Sequence, residues 1–99
     1  MNPAWFMAKS LTNKNKIMNY VYILLLANKN LYAGYTHDLK RRLPEHLNGK
    51  VISTKHKRPL KLIYYEAFIS KVDARRREQY FKTTKGKSTL KLMLRETLK

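Results

Sequence analysis

Residues 20–36 read YVYILLLANKNLYAGYT. Tyr20 to Ala27 is nearly all apolar and rich in strand formers, which predicts a strand buried on both faces. Asn28-Lys29-Asn30 is turn chemistry, because asparagine tolerates a positive φ. Leu31 to Thr36 is a second short strand, so the segment predicts a β-hairpin. Side chains alternate across a strand. Tyr22 and Tyr32 therefore share a face only if the two arms pair with an even sum of position numbers. A three- or five-residue loop does this; a four-residue loop puts Tyr22 beside Tyr35 instead. The odd loop is the expectation. Gly34 then falls on the face of Tyr22 and leaves a notch that a backbone can approach. Tyrosine is also simply a good strand former, and the pair taken alone has that ordinary explanation.

Downstream of the hairpin, Thr36 and Asp38 both suit the N-cap of a helix running to about Leu47, and Asn48-Gly49 is its stop. Pro44 removes one backbone donor and is expected to kink or shorten that helix. Arg42 and His46 stand at i and i+4, on one side, with Leu39, Leu43 and Leu47 as the neighbouring apolar stripe. A guanidinium at the edge of the core can grip a phosphate with two parallel hydrogen bonds. Taken alone, the same arginine reads as a solvated side chain. Lys50 to Pro59 is a basic loop, and Leu60 to Phe68 is a third strand.

Ser70 caps a second helix, Lys71 to about Thr83, with Asp73 three positions on as in a capping box. Val72, Arg76, Gln79 and Tyr80 lie near one face of it. Lys85-Gly86-Lys87 reads as a break. Ser88 then caps a last helix whose apolar side is Leu90, Leu92, Met93, Leu94 and Leu98. The order predicts an α+β fold, a small antiparallel three-stranded sheet flanked by helices. Residues 1–18 show no clean period and are expected to be a mobile N-terminal extension unless Trp5 and Phe6 dock. A single domain follows over 19–99, including the C-terminal helix.

The chain has 99 residues, enough for one domain with a modest core. Its 22 Lys and Arg face six Asp and Glu, a net charge of +16. That balance favours a polyanionic partner: nucleic acid first, an anionic membrane surface second, with ribosomal association as a further option. There is no cysteine, which excludes a disulfide framework and a Cys-based zinc site. The longest apolar run, Val21 to Ala27, is too short to span a bilayer, and the N-terminus does not read as a signal peptide. The expectation is a cytoplasmic protein with no membrane contact. Glu78 is the only acid between Asp73 and Glu96. A lone glutamate among arginines is usually a salt-bridge partner. In a phosphate-binding groove it can instead hold one Mg²⁺, a cation that keeps most of its waters.

The ordered set YVYILLL, LYAGYTHDLKRRLPEH, STKHKRPLKLIYYEAF and DARRREQYFK resembles the GIY-YIG endonuclease domain in its compact single-domain bacterial form. The resemblance spans about Asn19 to Lys87. It rests on two tyrosine motifs at hairpin spacing, Arg42 eight residues after Gly34, His46 four after Arg42, and Glu78 on a later helix. It implies that Tyr22 activates the nucleophile, that Tyr32 orients nucleophile and phosphate, and that Gly34 closes the second motif. It further implies that Arg42 stabilises the developing phosphorane charge, that His46 sits near the nucleophile, and that Glu78 is the sole protein ligand of one Mg²⁺ or Mn²⁺. Two positions depart from the pattern: Tyr20 stands where the first motif has glycine, and Ala33 where the second has isoleucine. No asparagine follows Asn48, although some members carry a late one near the site.

The function so implied is metal-dependent DNA cleavage, structure-specific or weakly sequence-specific, in the manner of repair or recombination. Lys40, Arg41, Lys55, Arg58 and Arg76 are the candidate phosphate contacts. The alternative is a nucleic-acid-binding protein of the same fold with little or no catalysis. Either is expected as a monomer or a homodimer.

Overall fold

A computed structural model of the chain describes residues 18–99. Apart from Met18, the expected N-terminal extension, with Trp5 and Phe6, lies outside the described residues. Three strands and three helices follow: β1 (Asn19–Leu25), β2 (Leu31–Thr36), α1 (Leu39–Leu47), a short 3-10 turn (Lys55–Lys57), β3 (Lys61–Phe68), α2 (Lys71–Phe81) and α3 (Thr84–Met93). The sheet is antiparallel throughout, with order β2-β1-β3. This is the α+β architecture expected of the sequence. Among the described residues no helix is long and apolar enough to cross a membrane.

β1 is the central strand, and Val21, Tyr22, Ile23 and Leu24 are all buried, as a strand covered on both faces requires. Its pairing with β2 matches Tyr22 to Gly34, Leu24 to Tyr32 and Leu25 to Leu31, leaving five residues in the loop. The even sum places Tyr20, Tyr22, Leu24, Tyr32 and Gly34 on one face. The positive φ of the loop falls on Lys29, not on either asparagine. Asn28 acts differently: its side-chain oxygen accepts from the Asn30 amide at 3.0 Å, closing a local turn. β3 pairs with β1 through an irregularity opposite Ile23/Leu24, so Tyr65 faces the Tyr22 side and Tyr64 and Glu66 face the other.

The two faces carry different cores. Val21, Ile23 and Ala33 pack with Ala74 and Phe81 of α2 and with Leu90 and Leu94 at the C-terminal end. Tyr22, Leu24, Leu26 and Leu60 pack with Leu39 and Leu43 of α1. Leu47, expected in that stripe, is instead 46% exposed. α1 begins with Asp38, whose carboxylate accepts from the Arg41 amide, while Thr36 accepts from the Asp38 amide. The helix continues through Pro44 to Leu47. It closes with Gly49 N–H donating to His46 C=O and Lys50 N–H to Glu45 C=O, a Schellman ending at Asn48-Gly49.

Ser70 caps α2 by accepting from the Asp73 amide. The buried side of α2 is Ala74, Glu78 and Phe81. Val72, which the sequence groups on one face with Arg76, Gln79 and Tyr80, is 66% exposed. The thin apolar stripe is supplemented by Arg77, which lies over the Phe81 ring at 4.3 Å and donates from Nε and Nη2 to the two oxygens of Glu66 on β3. The last helix also begins earlier than expected. Thr83, not Ser88, is its N-cap, and Lys85-Gly86-Lys87 lies inside it. A Cβ at Gly86 would stand 1.8 Å from the Tyr80 carbonyl oxygen, so glycine marks a close helix–helix approach here instead of a break.

Candidate active site

The Tyr22 side chain is 1% exposed and lies across Gly34 on the neighbouring strand. A Cβ at Gly34 would come within 2.3 Å of the tyrosine ring. The notch inferred from the sequence is therefore filled by Tyr22 itself, and only glycine leaves room for the ring. Tyr32, two positions before Gly34, puts its ring 6.5 Å from that of Tyr22. The His46 ring completes a triangle, 5.5 Å from Tyr22 and 5.3 Å from Tyr32, edge-on to both.

His46 is fully buried, near the C-terminal end of α1. Its Nε2 lies 2.8 Å from the Tyr22 hydroxyl, and its Nδ1 lies 2.8 Å from the Thr54 hydroxyl. Thr54 is also fully buried. A neutral imidazole has one donor and one acceptor nitrogen, so the two hydroxyls are linked. When Tyr22 donates to Nε2, Nδ1–H donates to Thr54. Burial holds the His46 pKa down at about 4, with the Arg42 charge acting in the same direction. The ring is neutral at neutral pH.

Burial pushes the Tyr22 hydroxyl up to about 12. Arg42 opposes the rise, and Glu78 adds to it through its charge. One hydroxyl thus feels an arginine from α1 and a carboxylate from α2. Arg42 donates to Glu45 at 2.9 Å and keeps a partly exposed side chain.

Glu78 is buried on α2. Lys82 approaches one of its oxygens at 3.1 Å, and Arg75 approaches the other at 3.7 Å. The second oxygen, Oε1, is buried and has no hydrogen-bond partner. An under-satisfied buried carboxylate oxygen suits a hard divalent cation. Among the described residues no group of three or more His, Cys, Asp or Glu converges.

The structure thus packs Tyr22, Tyr32, Gly34 and His46 together, with Arg42 one turn before His46 on α1; Glu78 stands on α2, which packs on the other face of the sheet, and enters only as a charge felt at Tyr22. The basic residues spread more widely. Lys40 and Arg41 are exposed on α1, and Arg41 is paired with Asp38 and Glu45. Lys55 opens the 3-10 turn and Arg58 follows it, its side chain donating to the Lys55 carbonyl. Arg76 pairs with Asp73 and lines a hollow with Phe68 and Tyr80. Two residues from Glu78 along a helix, it points about 200° away from it.

The sequence reading did not single out Thr54. A threonine in a basic loop carries no signal of its own, and only the loop's return against α1 brings it to His46. Glu66 was also missed, being one of many residues of alternating strand β3. Its pairing with Arg77 holds its pKa below the usual range against the opposing effect of burial, and docks α2 on the sheet.

A family model described as the GIY-YIG catalytic domain matches residues 18–91. A UPF0213 protein of Clostridium perfringens is 39% identical over 83 residues, covering 83% of this chain and 89% of its own. One from Streptococcus pyogenes serotype M5 is 47% identical over 70 residues, covering 70% and 76%. The solution NMR structure of a UPF0213 protein from Bacillus halodurans shares the fold, with a TM-score of 0.51, 35% identity, and coverage of 77% of this chain and 84% of that one.

Proposed function

The chain belongs to the GIY-YIG family of nuclease domains, and on that basis we propose that it is a metal-dependent DNA endonuclease, structure-specific or weakly sequence-specific. The observation that carries the proposal is the packing of Tyr22, Tyr32 and His46 around one buried hydroxyl. The Tyr22 oxygen is hydrogen-bonded to His46 and feels the charges of both Arg42 and Glu78.

In this reading a water attacks the phosphorus as the ester P–O bond breaks. A phenol with a pKa near 12 does not act as a ready phenolate at neutral pH. Tyr22 instead relays: it takes the proton of the attacking water as its own proton passes to Nε2 of neutral His46. Nδ1–H donates to Thr54 throughout, holding the ring in the tautomer whose Nε2 can accept. A phosphodiester accepting hydrogen bonds from Arg42 offsets the positive charge that depresses His46, which raises its basicity in the complex. Arg42 stabilises charge on the non-bridging oxygens without reorganising during the reaction. Tyr32 orients the water and the phosphate. Glu78 would hold one Mg²⁺ or Mn²⁺, which supplies Lewis-acid stabilisation of the phosphorane and the leaving oxygen. Lys40, Arg41, Lys55, Arg58 and Arg76 serve as phosphate contacts.

A second reading, DNA binding without turnover, is favoured by the closure of the site. Tyr22 and His46 are at most 1% exposed, and two cations of the chain already stand on Glu78. Nicking of supercoiled and branched DNA with Mg²⁺ or Mn²⁺ separates the two. Cleavage by the wild type, lost in Glu78→Ala and Arg42→Ala with binding kept, supports the nuclease. Equal cleavage by wild type and Glu78→Ala removes it in favour of the binding reading.

A further inference from the structure

Tyr20 occupies the position where the first family motif has glycine, and the nuclease reading gives it no task. The strand register puts Tyr20, Tyr22 and Tyr65 on one face of the sheet. α1 covers only part of that face, through Leu39 and Leu43. Beyond it, Tyr65 is 53% exposed. The Tyr20 ring meets Tyr65 edge-on, with centroids 6.1 Å apart and planes at 62°. That contact braces an exposed ring, so less side-chain freedom is lost when something stacks on it.

The two rings belong to a groove of about 370 Å³ lined also by Leu62 of β3, by Leu39, Lys40 and Leu43 of α1, and by His37 just before that helix. The size is at the small end for ligand sites. Asp38, also in the lining, is already engaged: it accepts from the Arg41 amide and pairs with the Arg41 side chain at 3.7 Å. An apolar, aromatic groove edged by Lys40, in a chain of charge +16, is complementary to a strand of nucleic acid with an accessible base.

We propose that the Tyr20–Tyr65 corner is a stacking site for an unpaired nucleobase of DNA, and that the substrate class of the neighbouring site is DNA with single-stranded segments. The inference rests on the nuclease reading only for the word substrate; the stacking itself does not need it. Bases inside a duplex are stacked on one another and present no free face to Tyr65. An unpaired base does, and its phosphates then run past Lys40 toward Arg41 and Arg42.

The test is equilibrium binding of the full chain to fluorescein-labelled DNA in EDTA, where no metal-dependent cleavage intervenes. The probes are a blunt duplex and a forked duplex with unpaired arms. The wild type is expected to prefer the fork by about fivefold or more, a range set by base–aromatic stacking. Tyr65→Leu should lose that preference while keeping its duplex affinity, and Tyr65→Trp should retain it. Tyr20→Ser should weaken it, because the brace is gone. Equal affinity of the wild type for the two probes, or an unchanged preference in Tyr65→Leu, overturns the proposal. So does sedimentation showing a dimer that Tyr65→Leu dissociates, since the corner would then be covered by a second copy. A preference that Tyr65→Leu abolishes in a protein that cuts no DNA would sustain the stacking site and remove the nuclease reading. Cleavage without any preference would do the reverse.

Discussion

A single hydroxyl on β1 organises the candidate site, and its neighbours set its chemistry. Tyr22 is held protonated by burial, and His46 is held neutral by burial and by Arg42. Thr54 fixes the orientation of the ring through Nδ1 and, where it accepts from Nδ1–H, leaves Nε2 free to accept from Tyr22. Thr54→Val preserves shape but removes the acceptor of Nδ1–H. It is expected to slow nicking by roughly a hundredfold, the lower end for loss of acid–base catalysis, and to shift the ¹⁵N resonances of His46 toward the other tautomer. Thr54→Ser should restore both. The resonance shift distinguishes positioning from mere packing.

The buried histidine also predicts a pH window for stability. Its pKa is about 4 in the folded chain against an ordinary value of 6.5. Between these values the unfolded chain binds a proton that the folded chain does not. The contribution is therefore fully present above about 6.5 and is lost as the pH falls toward 4. Urea unfolding at pH 7 and pH 5 should differ by on the order of 2 kcal/mol through this group. The difference should shrink in His46→Gln. The carboxylate Glu66, whose pKa is depressed, contributes its own loss only at lower pH.

At the scale of elements, α2 and α3 meet backbone to backbone at Gly86. A methyl group there meets the Tyr80 carbonyl, which cannot rotate away as a flexible side chain can. Gly86→Ala is expected to destabilise the fold by about 2 kcal/mol or more, in spite of alanine's better helix propensity, and the urea midpoint measures it. The glycine looked like punctuation because propensity is local, whereas its reason is a contact between two helices. α2 carries the other element-scale expectation. Lys82, four residues after Glu78, stands on the carboxylate that would hold a metal. Lys82→Ala removes a competing cation and should tighten Mn²⁺ binding by up to about fivefold, the range of a half-exposed ion pair, in calorimetric titration. Weaker binding in that variant would show that Lys82 supports the site.

At the scale of the molecule, the chain carries a net charge of +16, and α1, the loop around the 3-10 turn, α2 and α3 each bring several Lys and Arg to it. Roughly five to eight phosphate contacts from such a surface predict a slope of about −4.5 to −7 for log binding constant against log salt on duplex DNA. Salt-series anisotropy checks this. A slope near −1 would mean that most of the basic residues face away from the nucleic acid.

Periodicity and turn chemistry were enough to read the hairpin, α1 and α2 with their caps, and the α+β order. These features depend on neighbours a few residues apart. The shared face of Tyr22 and Tyr32 was legible up to a parity, which the five-residue loop decided. Local pattern failed at Leu47, Val72, the start of α3 and the positive φ of Lys29, where the exposed or buried side depends on what lies opposite. Arg42 and His46 could be placed on one side of a helix from spacing alone. That Thr54 closes the chain of hydrogen bonds could not. Chain-local chemistry determined which elements form and which residue types they carry. The docking of α1 and α2 on opposite faces of one sheet decided which side chains meet, because contacts between distant residues depend on register, packing and burial that no short stretch of sequence contains.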